Sequence, residues 1–143
     1  MNENETRKTN YAAIDIGSNA VRLLIKEIKE EQGKAHFSKV LMLRVPLRLG
    51  FDVFDIGKIS EKKEKNMIRL MKAFRHLMKI YDVKHCRACA TSAMRDAKNG
   101  MDIIKQIEKK TGVHIDIIDG QEEAKIIYNN HVEHMEDQKG NYM

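Results

Sequence analysis

The sequence predicts a mixed α/β sheet, antiparallel at its start and parallel after the first crossover. Three observations carry this. Two β-rich runs, Tyr11–Ile16 and Ala20–Ile28, flank a Gly17-Ser18-Asn19 turn signal, so they read as a tight hairpin. A third β-compatible run, Ala35–Leu43, follows after a turn at Gly33. Beyond it, helical and strand patterns alternate, as parallel strands joined by helices require. The expected order is β-β-β-α-β-α-β-α.

Each element has its own signal. Residues 1–10 are polar and read as a disordered leader. Pro46 should end pairing of the third strand or place it at an edge. Leu47–Gly57, with two glycines and two aspartates, reads as a loop. Ser60 is an N-cap, and Glu61 adds favourable charge in the first turn. Met67, Leu70, Met71, Phe74, Leu77, Met78 and Tyr81 then fall on one face of a helix over about 61–80. That methionine stripe reads as core packing, and Lys62, Lys63, Lys65 and Arg69 as a solvated face. Val83–Ala90 is a strand ending at Thr91-Ser92. A short helix over Ser92–Ala97 precedes a helix from Gly100 to about Lys110, capped by Asn99 and stopped by Gly112. Val113–Ile118 alternates as a strand. After the Asp119-Gly120 turn, Gln121 to about Met135 reads as a helix with Ala124, Ile127, Tyr128 and His131 inward.

Composition narrows the class. The chain has 143 residues, the size of one domain, and 42% hydrophobic residues, which argues against disorder. Its net charge of +5 suits a polyanionic ligand. No basic run is interleaved with aromatics and there is no Trp, so nucleic acid is not the expected partner. No apolar run is long enough for a membrane span, and the start lacks the apolar middle of a signal peptide, so a cytoplasmic location is expected. Cys86 and Cys89 form a lone C-x-x-C. Three apart on a strand they point to opposite faces, so they read as small buried hydrophobes and not as a zinc clip.

The chemistry concentrates at the hairpin. Asp15 ends the first strand, and ligands of α/β sheets bind beyond strand ends. Gly17, Ser18 and Asn19 offer amides and a hydroxyl in a turn able to form an anion nest. Arg22 supplies a planar fork suited to phosphate oxygens. An ordinary hairpin with Asp15 capping its own turn explains this stretch equally well. Arg48, in a glycine-bounded stretch, and Arg95, in a turn after a strand, stand where a ligand contact is more natural than a structural one. Thr91 and Ser92 either donate hydroxyl bonds beside Arg95 or only cap the short helix. Glu122 and Glu123 open the last helix, where acids also simply complement the dipole. His131 and His134, three apart on that helix, read as packing and exposure, since no third metal ligand is visible.

Four stretches together decide among these alternatives. D-I-G-S-N-A-V-R-L-L-I from Asp15, L-R-L-G at Leu47–Gly50, A-T-S-A-M-R-D-A-K-N at Ala90–Asn99 and I-I-D-G-Q-E-E-A at Ile117–Ala124 resemble, in order, the motifs of the exopolyphosphatase and guanosine pentaphosphate phosphohydrolase family. That family belongs to the sugar kinase and actin-like superfamily, with a ribonuclease H-like fold. The expected element order is the ribonuclease H-like one, reached without the motifs. The resemblance implies a phosphoanhydride hydrolase that releases terminal phosphate from polyphosphate or guanosine pentaphosphate. It implies Asp15 near phosphate and metal, with Mg2+ or another divalent cation as cofactor. Arg22 and Arg95 take the positions of phosphate-contacting residues, with Arg48 beside them, and Glu123 that of the acid activating water.

The family's second glycine-rich phosphate loop has no counterpart by Met143. The expectation is therefore an N-terminal subdomain over 11–143, inactive or nearly so alone, whose partner is a C-terminal lobe of a longer chain. A homodimer is compatible with it. The rival reading is a nucleotide-binding actin-like or sugar-kinase-like module without phosphatase activity.

Overall fold

The fold is taken from a computed structural model, which describes residues 6–118. Five strands form one mixed sheet. They are β1 (Arg7–Ile16), β2 (Val21–Glu31), β3 (Lys34–Val45), β4 (Val83–Ala90) and β5 (Ile115–Ile117). Their order is β3-β2-β1-β4-β5. The β1/β2 and β2/β3 pairs are antiparallel, and the β1/β4 and β4/β5 pairs parallel. The expected mixed sheet is therefore present. The expected Asp119-Gly120 turn and the last expected helix, with Glu122, Glu123, His131 and His134, lie outside the described residues.

Side-chain alternation shows why the sheet has one packed face. Ala12, Ile14 and Ile16 of β1, Val21, Leu23 and Ile25 of β2, and Ala88 and Ala90 of β4 are buried in one core. Their neighbours Tyr11, Ala13, Asp15 and Arg22 are exposed on the other face. Four helices supply the core's second layer: α1 (Leu49–Ile56), α2 (Glu61–Ile80), α3 (Ser92–Asp96) and α4 (Gly100–Thr111). In α2, Met67, Met71 and Phe74 are fully buried, as the stripe predicted. The Ser60 hydroxyl accepts from the Lys63 amide at 3.3 Å and caps the helix. Ile103, Ile104 and Ile107 turn α4 inward.

Several readings need correction. β1 begins at Arg7, so residues 7–10 belong to the sheet and not to a leader; they pair with Glu27–Glu30 of β2. Leu47–Gly57 is not a loop, because Leu49–Ile56 is helical. Asn99 does not cap α4 with its side chain. Its amide instead brackets one residue of the α1–α2 connection: Oδ1 accepts from the Ile59 amide at 3.0 Å, and Nδ2 donates to the Ile59 carbonyl at 2.8 Å. Of the two cysteines only Cys89 is buried; Cys86 is exposed. Burial pushes the Cys89 thiol above its ordinary value, which keeps it protonated and unreactive. No helix among the described residues is long and apolar enough to cross a membrane.

At the α4–β5 corner, His114 lies between two carboxylates. Its Nδ1 is 3.1 Å from Glu108 Oε2, and its Nε2 is 3.0 Å from Asp116 Oδ1. The bonds to Glu108 and Asp116 raise the imidazole above its ordinary 6.5. A raised folded-state value means stabilisation that is fully present below the unfolded value and is lost as pH rises through the folded one. The ring is exposed, so the effect is small and screened by salt. His114→Gln should therefore melt below the wild type at about pH 5.5 and together with it at about pH 9. Equal melting temperatures at both pH values would show that this clamp adds nothing.

Candidate active site at the carboxyl ends of β1 and β4

The site is built around the four residues between β1 and β2. Gly17 N–H donates to the Ala20 carbonyl at 3.0 Å and closes the turn. Its amide is therefore spent inside the turn and does not join an anion nest, contrary to the sequence reading. Ser18 and Asn19 form the tip. Behind them Asp15 stands directly across the β1/β2 pair from Arg22, and both residues are exposed.

Three other segments are fastened to this turn. From the chain entering α1, the Arg48 amide donates to the Asn19 carbonyl at 2.9 Å, and the Gly50 amide to the Ser18 carbonyl at 2.8 Å. Gly50 is needed there, since a Cβ on it would lie 2.9 Å from Ser18 Cβ. From the end of β4, the Thr91 amide and hydroxyl both donate to the Ile16 carbonyl, at 3.1 and 3.4 Å. From α3, Ser92 Oγ lies 3.0 Å from Ser18 Oγ in a hydroxyl–hydroxyl bond. Asn99 does not make the side-chain cap expected of it, nor does Thr91 make the cap that is one of its two readings. Their polar groups stitch segments together instead.

The fold thus brings the segments bearing Arg22, Arg48 and Arg95 to one end of the sheet. It also gives Arg95 a structural bond that the sequence did not suggest. Arg95 Nη1 donates to the Ile118 carbonyl at 3.0 Å, while its Nε is 3.8 Å from Asp96. The Ile118 amide in turn donates to the Ala90 carbonyl at 3.0 Å. The chain leaving β5 is therefore tied to Arg95 five residues before Glu123.

Sequence reasoning missed one pair. Lys63, assigned to a solvated face, makes a 2.7 Å ion pair with Asp52 and donates from Nζ to the Arg48 carbonyl at 2.8 Å. Asp52 Oδ2 also accepts from the Ser60 amide at 2.9 Å. Burial pushes the Asp52 carboxyl up, but the bonds from Lys63 and Ser60 outweigh it and hold the group below its ordinary value. A usable signal was present. Lys63 is the third residue of a helix, where the dipole favours an acid, so a cation there implies a partner.

Comparison with known proteins agrees with this geometry. Residues 24–142 match the Ppx/GppA phosphatase family. A bifunctional 3-dehydroquinate synthase/phosphatase of Fusobacterium nucleatum is 32% identical over 124 residues, covering 83% of this chain and 19% of that protein. Exopolyphosphatase 1 of Mycobacterium tuberculosis is 29% identical over 115 residues, covering 80% of this chain and 33% of that protein. Among solved structures, a Ppx/GppA family member from Aquifex aeolicus superposes with a TM-score of 0.74 at 30% identity, over 82% of this chain and 37% of its own. An exopolyphosphatase from Cytophaga hutchinsonii gives 0.72 at 28% identity, over 82% and 36%. The chain spans about a third of the length of the exopolyphosphatases it matches. With the family match over residues 24–142 and the superposition on a solved family member in agreement, the chain belongs to the Ppx/GppA phosphatase family.

Proposed function

We propose that this chain carries the phosphate-grasping part of a hydrolase that releases terminal phosphate from polyphosphate or guanosine pentaphosphate. The observation that carries the reading is the fastening of the Arg48 and Arg95 segments to the turn that leads into Arg22, at the end of the sheet where Asp15 emerges. In this reading the amides of Ser18 and Asn19 and the hydroxyls of Ser18 and Ser92 hold phosphate oxygens. Arg22, Arg48 and Arg95 neutralise charge and stabilise it as the phosphoryl group transfers. Glu123 takes a proton from water, the water oxygen bonds to the terminal phosphorus, and the bridging oxygen leaves with the shortened substrate. The part of its relatives that lies outside the match would supply the rest of the cradle.

Mg2+ is implied by the family resemblance. Among the described residues no group of three or more His, Cys, Asp or Glu could hold a metal by itself. The donor set still fits Mg2+, which is commonly held by one or two carboxylates plus substrate phosphates. Asp15 would hold it, and the ion would offset phosphate charge.

Calorimetric titration of the chain with tripolyphosphate and with ATP, each with Mg2+, tests the reading. Tighter binding of tripolyphosphate is expected. A preference for ATP would favour the actin-like or sugar-kinase-like alternative, and binding of neither would remove the phosphate site. Arg95→Ala should weaken tripolyphosphate binding by about 1–3 kcal/mol, the range for a lost charged hydrogen bond. Arg95→Lys keeps a cation able to reach the Ile118 carbonyl, which separates the charge from the planar fork.

A further inference from the structure

We propose that Lys63 and Asp52 are positioning residues for phosphate binding, holding Arg48 in the backbone conformation that sets it beside the Ser18-Asn19 turn. The proposal rests on the phosphate-binding reading of that turn. Arg48 is the cap residue of α1, with φ 55° and ψ 48°. This left-handed conformation is unfavourable for a side chain other than glycine and persists only where the surroundings impose it. Here they do so from three directions. The Arg48 amide is held by the Asn19 carbonyl at 2.9 Å. Its carbonyl accepts from the Phe51 amide at 3.2 Å and from Lys63 Nζ at 2.8 Å. Lys63 is itself fixed by Asp52 at 2.7 Å, and Asp52 by the Ser60 amide at 2.9 Å.

This network is sheltered enough to act. The side chains of Lys63 and Asp52 are 25% and 16% exposed, well below the lysines of the Lys29–Glu31, Lys65–Glu61 and Lys84–Asp82 pairs, whose side chains are 40–62% exposed. The exposed end of the chain of contacts is Arg48, next to the turn. Glycine would satisfy the backbone at 48 without strain, as it does at 57 and 112. An arginine in that conformation, with a partly buried ion pair clamping its carbonyl, points to use of the guanidinium. Lys63 acts through Arg48 and need not touch the ligand.

Tripolyphosphate titration of the folded chain tests this, with folding checked by near-ultraviolet circular dichroism. Lys63→Met and Asp52→Asn should each weaken binding about tenfold, the low end of the loss when a supporting partner is removed. Lys63→Arg, which keeps a cationic donor, should recover most of it. Arg48→Gly should lose affinity while raising the melting temperature, because the left-handed backbone is relieved. In the Arg48→Gly background, Lys63→Met should cost no further affinity, although it still lowers the melting temperature. A purely structural clamp predicts instead the same affinity loss from Lys63→Met in both backgrounds. That result, or wild-type affinity in Lys63→Met and Asp52→Asn, overturns the proposal while leaving the phosphate site standing. No binding by the wild type would overturn the phosphate reading itself, and this inference with it. Because Arg48→Gly relieves strain, it keeps the test open if Lys63→Met fails to fold.

Discussion

Gly100→Ala is expected to destabilise the protein by roughly 2–4 kcal/mol, the upper range for forcing atoms into a packed interior. Gly100 is buried at the start of α4. A methyl there would land on the carbonyl oxygen of Met94, with the carbonyl carbon close behind. Both are backbone atoms, so no rotamer change makes room. Met94 is only 1% exposed and packed in the core, which prevents α3 from yielding. The Gly100 amide donates to the Ala97 carbonyl at 3.1 Å, and Asn99 is fixed to Ile59, so α4 cannot slide away either. Helix propensity alone predicts the opposite sign, since alanine is favoured over glycine by about 1 kcal/mol inside a helix. Urea denaturation decides between them. A variant as stable as the wild type would show that α3 and α4 are not packed this closely. Arg95 follows Met94 directly, so the same substitution should also weaken tripolyphosphate binding.

How far the sequence could be read follows from the kind of signal each element carries. β1, β2 and α2 bury a periodic apolar face, and periodicity is local information. α1 buries only Leu49, while Phe51, Phe54 and Ile56 are 74%, 94% and 49% exposed. With no core stripe, L-G-F-D-V-F-D-I reads as a loop. What makes it a helix is tertiary: the Gly50 amide on Ser18, Asp52 on Ser60 and Lys63, and Lys63 on Arg48. The strand over residues 7–10 was hidden for the same reason. Its polar side chains say little, and the long facing strand β2 supplies the pairing.

The site divides along similar lines. Residue types suited to phosphate could be chosen from sequence, and the fold gathers their segments at one sheet end. The structural duties of those residues were not legible. Gly17 closes its own turn, Thr91 bonds Ile16, Asn99 brackets Ile59 and Arg95 holds Ile118. The last three are contacts across 23 to 75 positions, set by topology and not by spacing along the chain.

Glu123→Gln is expected to lower turnover by about 10²–10⁴-fold while leaving substrate affinity largely intact, as removal of a general base should. The motivation combines the motif resemblance with the end of β5. Ile118 is pinned between the Ala90 carbonyl and the Arg95 guanidinium. Glu123 follows Ile118 by five residues, whose chain spans at most about 17 Å. Glutamine keeps the shape and loses the basicity, so ground-state contacts survive and the proton acceptor does not. Phosphate release from polyphosphate and from guanosine pentaphosphate should be followed for the chain by itself and for the longest polypeptide that carries it. The chain by itself should release little, because a partial cradle neither fixes the terminal phosphate nor excludes water. Within the longer polypeptide, Glu122→Gln should remain active and Glu123→Gln should not. The reverse pattern would transfer the base to Glu122, and full activity of both variants would leave Asp15 as the carboxylate to test. Robust turnover by the chain alone would show that no second lobe is required.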